Sequence, residues 1–256
     1  YNLTAYYFPA NIGDIDGFIA CLRKYYDRVA SYGVPHRNTF EIFEADNPYG
    51  GVAGERYGSI DYELLESYLA AIARACKEDG KNYFDKMYYY FDQVYDEVNE
   101  KRYPQMRACI ATTNAVEEKV AKEQELPEEI AKSLLGTKHL MPVVHGWRED
   151  FAQYEELLVS PLYDNLGSTK NIEMYEKLVA QGYSIESYGT VQTFPYPTRL
   201  IDEYLITGRD VFWSKFDYRL TGDLFWNTTG YCNWGAGNIV GYGRISDLYS
   251  PSCRDG

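Results

Sequence analysis

Helix-periodic segments alternate with short apolar runs along almost the whole chain, and this alternation restricts the fold more than any other feature. "DIDGFIACLRKYYDRVASYG" (14–33) repeats apolar residues at three- and four-residue steps, with Asp14 placed as an N-cap and Gly33 as a stop. "TFEIF" (39–43) alternates as a strand does, and "EADNPYGGVAGERYGS" (44–59) has the Gly, Pro and Asn content of a loop. "IDYELLESYLAAIARACKEDG" (60–80) is the clearest helix, ended by Gly80. Further helices are expected over 103–123, 127–135, 148–158, 171–182 and 197–220, and strands over 139–145, 183–191 and 222–229. Such an order argues for an α/β protein with a parallel sheet. At 256 residues the chain fits a single (β/α)8 barrel of the TIM type, incomplete or irregular in places. No internal repeat and no linker-like stretch divides it, so 1–256 reads as one domain. In a barrel, chemistry belongs in the loops after the C-terminal ends of the strands.

One segment resists the pattern. "MYYYFDQVYDEV" (87–98) sits on a helix stripe made by Phe84, Met87, Tyr88, Phe91, Val94, Tyr95 and Val98. Its aromatic run favours a strand instead. Alternation decides between them: a parallel sheet needs a strand between the helix ending at Gly80 and the one starting near Tyr103. The segment 87–95 is therefore expected to be a strand, with Asp96 and Glu97 at its C-terminal end.

Charge and residue counts narrow the ligand. A net charge of −13 speaks against a nucleic-acid partner, which would call for a basic patch, and a neutral substrate fits best. The 27 tyrosines and four tryptophans suit the C–H faces and hydroxyl rims of sugars, although most single tyrosines in such a chain are half-buried packing residues. No run of about 18 apolar residues is present, so no membrane span is expected. Cys21, Cys76, Cys109, Cys232 and Cys253 are widely spaced and form no CxxC pair. With only three histidines alongside, neither a metal centre nor another cofactor is expected. The helical cysteines read as small buried hydrophobes. Unpaired cysteines lean towards the cytoplasm. The start at Tyr1, without a charged-then-apolar leader, has the look of a fragment or processed form, from which secretion cannot be judged.

Three stretches together resemble the catalytic domain of glycoside hydrolase family 123 and its DUF4091 relatives. "YDEVNEKRYPQMR" (95–107) looks like the family's strand ending in an Asp-Glu pair, with Val98 where Pro is usual. "SIESYGTVQTFPYPTRLIDEYLITGRDVFWSKFDYRLTGDLFWNTTGYCNW" (184–234) is similar to its late strand, P-Y-P turn, Arg- and Trp-bearing helix and closing strand. "LRKYYDRVASYGV" (22–34) looks like an early helix of the family. The β-sandwich that family members carry ahead of the barrel has no counterpart in these residues. Bulkier aromatics usually stand at Glu186 and Ser187, and the tail looks shortened. Two registers fit the acidic pair. Asp96-Glu97 is preferred because "EKRYP" then aligns with the family, whereas Asp92-Gln93 would replace the acid by an amide.

The resemblance implies a retaining β-N-acetylhexosaminidase acting on β-linked N-acetylgalactosamine in a glycan or glycoconjugate. The substrate's own acetamide oxygen would attack the anomeric carbon to give an oxazolinium, an exception to the two-carboxylate scheme. Glu97 would be the general acid and base, and Asp96 would orient the acetamide. Tyr188 would hydrogen-bond the acetamide, Trp226 would floor the sugar ring, and Asn227, Tyr231, His145 and Trp147 would line the pocket. Two rivals stand beside this. One is a non-catalytic carbohydrate-binding barrel. The other is a two-carboxylate retaining glycosidase, for which Glu41 and Glu186 are candidate second acids. A solvated acidic pair at a helix start is the bland alternative for Asp96-Glu97, as core packing is for Trp226. Arg209 is expected to pair with a carboxylate in the helix layer. Homo-oligomer formation, linkage and aglycone are left open.

Overall fold

A computed structural model describes residues 15–31, 38–40, 62–89, 103–143, 157–162, 169–183, 185–188, 205–220 and 222–224. Along the chain these form α1 (Ile15–Ser31), β1 (Asn38–Phe40), α2 (Tyr62–Asp79), a 3-10 turn (Tyr83–Lys86), β2 (Met87–Tyr89), α3 (Tyr103–Glu123) and α4 (Glu128–Leu135). Then come β3 (Lys138–Val143), β4 (Leu157–Pro161), α5 (Thr169–Ala180), β5 (Glu186–Tyr188), α6 (Leu205–Asp217) and β6 (Gly222–Leu224). The protein is mixed α/β. The chain divides into two compact units, Tyr1–Asp223 and Leu224–Gly256, and all but Leu224 of the second lies outside the described residues.

The strands β1 to β4 form one sheet in chain order, every pairing parallel. Thr39 lies beside Tyr88, Tyr89 beside His139, and Met141 beside Val159. Parallel bridges from Val159 to Ile185 and from Leu162 to Tyr188 carry the order on to β5, which pairs with β6. Parallel neighbours need a crossover, and α2, α3 and α5 supply those leading to β2, β3 and β5. Among the described residues no closed barrel is formed.

Over Met87–Tyr89 the segment is a strand, as expected. A single 3-10 turn takes Tyr83–Lys86, and the aromatic run starts as a strand at Met87. Residues 90–95 lie outside the described residues. The expected helix over 148–158 is a correction. Leu157–Pro161 is a strand, buried at every position, and 148–156 lies outside the described residues. Leu157 and Leu158 continued the apolar spacing of the preceding residues, and a short apolar run does not distinguish strand from buried helix.

Two helix ends show why glycine was informative. Gly80 has φ +61° and Gly182 φ +94°, where a Cβ is disfavoured. Lys81 N then donates to Cys76 O, and Tyr183 N to Leu178 O, which satisfies carbonyls the helices leave open. Glu125 and Arg219 hold the same left-handed position after α3 and α6 without being glycine, so those ends carry no residue signal.

The core is built where α1–α4 cover the sheet. Phe18, Leu22, Leu65, Tyr68, Leu69, Ile72 and Cys76 meet Met106, Ile110 and Val120 of α3 and Met141 and Val159 of the sheet. Phe18 packs edge-on against Tyr68 with ring centroids 4.9 Å apart. Burying aromatic side chains of this size supplies a large share of such a core's stability. Cys76 and Cys109 are buried thiols, and burial pushes the Cys76 thiol up to about 11. Outside the core, Arg23 of α1 pairs with Glu78 at 2.8 Å and Asp79 at 2.6 Å at the C-terminal end of α2. Among the described residues no helix is long and apolar enough to cross a membrane.

Candidate functional site

Alternation along strands gives the sheet two faces, and the packing identifies them. Met87, Tyr89, Met141, Leu157 and Val159 belong to the helix-covered core. Ile185 packs with Tyr175 and Leu178 of α5. The intervening residues must face the other way: Tyr88 on β2, Leu140 and Pro142 on β3, Leu158 and Ser160 on β4, and Glu186 and Tyr188 on β5. All of these are buried, yet none belongs to the clusters that the helices cover.

This second face changes character along the strands. Near their starts it carries Leu140 and Leu158. Further along, one row carries Pro142, Ser160 and Glu186, the first residue of β5, and the next carries Leu162 and Tyr188. The bridges Val159–Ile185 and Leu162–Tyr188 share one register, so Ser160 is the cross-strand neighbour of Glu186. Ser160 is also paired with Pro142 on its other side. The Ser160 hydroxyl is fully buried and has no hydrogen-bond partner among the described residues. On the far side of Glu186 stands Gly222. A Cβ there would lie 2.5 Å from Glu186 Oε1 and 2.6 Å from its Cδ, so the carboxylate occupies the space that glycine leaves. An isolated glycine in a strand often marks such a close approach.

The opposite face fixes this arrangement from behind. Lys215 of α6 is buried, and its Nζ donates to Ser187 Oγ at 2.8 Å and to the carbonyl oxygens of Ser187 and Gly222 at 3.5 and 3.4 Å. One ammonium group thus holds β5 and β6 together directly behind Glu186. A second polar group lies deeper on the helix side. Tyr89 donates its hydroxyl to Glu117 of α3 at 2.7 Å and stacks at a tilt against His139, with centroids 4.9 Å apart. Burial, with the Glu117 charge second, holds the Tyr89 phenol far above its ordinary range, so it remains a donor. Burial pushes the His139 imidazole down to about 3, so it is neutral.

Of the residues singled out in the sequence, Tyr188 is described: it is buried at the end of β5, on the face that is helix-free among the described residues. Asp96, Glu97, His145, Trp147, Trp226, Asn227, Tyr231 and the alternative pair Asp92-Gln93 lie outside the described residues, as does Glu41. Glu186, named only as a candidate second acid, stands two residues before Tyr188 on the same face. Ser160 was missed because the helix expected over 148–158 took in the first two residues of β4 and left the rest unassigned. Gly222 carried a usable signal, since a glycine that opens a strand is open to a close approach by a neighbour. Arg209 is exposed on α6. A hollow of about 340 Å³ lies on the exposed side of α6 between Trp213, Ser214, Phe216 and Asp217.

No family model matches the chain, and no curated protein matches it significantly. Among solved structures, the chain is similar to that of a trimodular GH5_4 subfamily endoglucanase, at 10% identity and a TM-score of 0.35. The match covers 79% of this chain and 50% of that one, so this chain spans half of that protein's length. So distant a likeness says nothing of substrate or mechanism.

Proposed function

We propose that the chain is a glycoside hydrolase with a (β/α)8-type barrel that removes β-linked N-acetylgalactosamine with retention. In this reading Glu97 protonates the leaving oxygen and then activates water. Asp96 orients the acetamide and balances the positive charge that develops on its nitrogen. Tyr188 donates to the acetamide, Trp226 stacks under the ring, and Asn227, Tyr231, His145 and Trp147 complete the pocket.

The observation that carries the reading is the face of the sheet that none of the described helices covers. Strands that pair in chain order are what a barrel wall requires. That face gathers a phenol at the end of β5 with a carboxylate and a hydroxyl in the row before it, and barrel enzymes keep their chemistry at the strand C-terminal ends. The Asp-Glu pair in "YDEVNEKRYP" supplies the acid that the reading needs.

The test is a substrate pair. An aryl β-N-acetylgalactosaminide should be cleaved with retention, and the matching aryl β-galactoside hardly at all, because the second lacks the internal nucleophile. Equal rates on both would remove the substrate-assisted mechanism. Trapping a covalent sugar on Glu186 would replace it with the two-carboxylate mechanism, the second reading.

A further inference from the structure

We infer that Glu186 binds the sugar directly, as an acceptor for ring hydroxyls, with the Ser160 hydroxyl as its neighbour in the same row. The inference rests on the glycosidase reading and deepens it by adding a residue that positions the substrate. Three observations lead there. Glu186 is on the face that the described helices leave uncovered, the same side as Tyr188. Ser160, next to it across the strands, keeps a fully buried hydroxyl without a partner among the described residues, and a buried polar atom of that kind marks a place where a polar ligand or water completes the bonding. Gly222 leaves its side-chain space to the Glu186 carboxylate, and Lys215 clamps the backbone of Ser187 and Gly222 from behind. A side chain seated between two neighbouring strands in this way is held in one direction, as recognition of a hydroxyl requires.

A carboxylate accepts from two adjacent hydroxyls at once, and a pyranose offers such pairs on its rim. The class of ligand is therefore a pyranose with free vicinal hydroxyls. Glu186 needs no proton transfer for this role.

The experiment measures binding of N-acetylgalactosamine and its monodeoxy analogues, and turnover of the aryl β-N-acetylgalactosaminide, by wild type, Glu186→Gln, Gly222→Ala and Ser160→Ala. Loss of a charge-assisted hydrogen bond should weaken sugar binding by roughly 10- to 100-fold in Glu186→Gln. The loss should fall on KM more than on kcat. Gly222→Ala keeps the carboxylate but displaces it, and should show a loss of the same kind. Ser160→Ala should weaken binding by a few fold at most. At least one monodeoxy sugar should bind wild type more weakly than the parent, yet bind Glu186→Gln as well as the parent does, a signature that a purely structural role would not give. If Glu186→Gln does not fold, Gly222→Ala and the deoxy series on wild type decide the matter. Unchanged affinity in both variants overturns this inference alone. A wild-type protein that binds none of these sugars overturns it together with the glycosidase reading.

Discussion

The two faces of the sheet bury their polar groups in different ways. On the helix-covered face the buried Thr113 hydroxyl of α3 has no partner among the described residues, but two other buried groups bond across the layers: Tyr89 donates to Glu117, and Lys215 donates to Ser187. Each joins a helix to a strand. On the helix-free face the polar groups are crowded into one corner, where the Ser160 hydroxyl has no partner among the described residues and the Glu186 carboxylate is fitted over a glycine. Burial alone therefore does not separate scaffold from site in this protein. Tyr89 and Tyr188 are both buried strand tyrosines, and what distinguishes them is the face each turns to. Tyr68, Tyr83 and Tyr175 are likewise fully buried packing residues.

The largest effect expected from breaking the site side of this comparison is on turnover. Glu97→Gln removes the proton donor, and general acid catalysis is worth roughly 10²–10⁴-fold. Asp96→Asn should be comparably severe, because its charge balances the oxazolinium. Both variants should keep the thermal midpoint of the wild type. Full activity in both, with an inactive Asp92→Asn, would move the catalytic position to the other register.

A tyrosine pair sharpens the contrast next. Tyr89→Phe removes the donor to a buried carboxylate, which should cost about 2 kcal/mol of stability, read by urea unfolding, and leave the rate per folded molecule unchanged. Tyr188→Phe should do the reverse. Its stability should stay close to that of the wild type, and its turnover of the N-acetylgalactosaminide should drop by about tenfold, the worth of one hydrogen bond made to the reacting group. If Tyr188→Phe destabilises the fold as Tyr89→Phe does and leaves turnover intact, Tyr188 is a packing residue and the assignment of the faces loses its functional meaning.

How much of this was legible beforehand depends on the kind of signal each element carries. The helices α1, α2, α3 and α5 were readable because apolar spacing and, for α2 and α5, a left-handed glycine mark them locally. The strand at Met87 was found by asking what a parallel sheet needs, since its own residues fit two periods. The strand Leu157–Pro161 was lost for the opposite reason: it is buried on both faces, so no alternation remains to be seen. That single loss also concealed Ser160, and with it the row that joins Ser160 to Glu186. The glycine at 222 and the bulk of Glu186 were visible as residues, but their fit is a contact between strands and is written in neither segment. The sides of the sheet needed the helices in place, because Tyr88 and Tyr89 are adjacent and chemically identical.

His139 tests the helix-covered face at the smallest scale, because at neutral pH its replacement should change little. The imidazole is fully buried and packs against the Tyr89 ring. Burial, with the Lys138 charge second, holds it down to about 3 in the folded protein. In the unfolded chain it titrates near the usual value of about 6.5. Above about 6.5 both states are neutral and His139 has no influence on the pH dependence of stability. Between about 6.5 and 3 the unfolded chain binds a proton that the folded protein refuses, so stability is lost as the pH falls, by up to about 1.4 kcal/mol per pH unit. His139→Leu removes that proton and leaves an apolar side chain of similar size, so it should be within about 1.5 kcal/mol of wild type at pH 7. Urea midpoints for the two proteins should then shift steadily relative to each other between pH about 6 and 4, with the variant gaining on wild type in acid. Asp79, which Arg23 holds below the usual carboxylate range, contributes equally to both proteins and cancels in the difference. Parallel acid limbs for His139→Leu and wild type would mean that the imidazole accepts its proton in the folded state, and that the helix-covered face is open to water beside Tyr89.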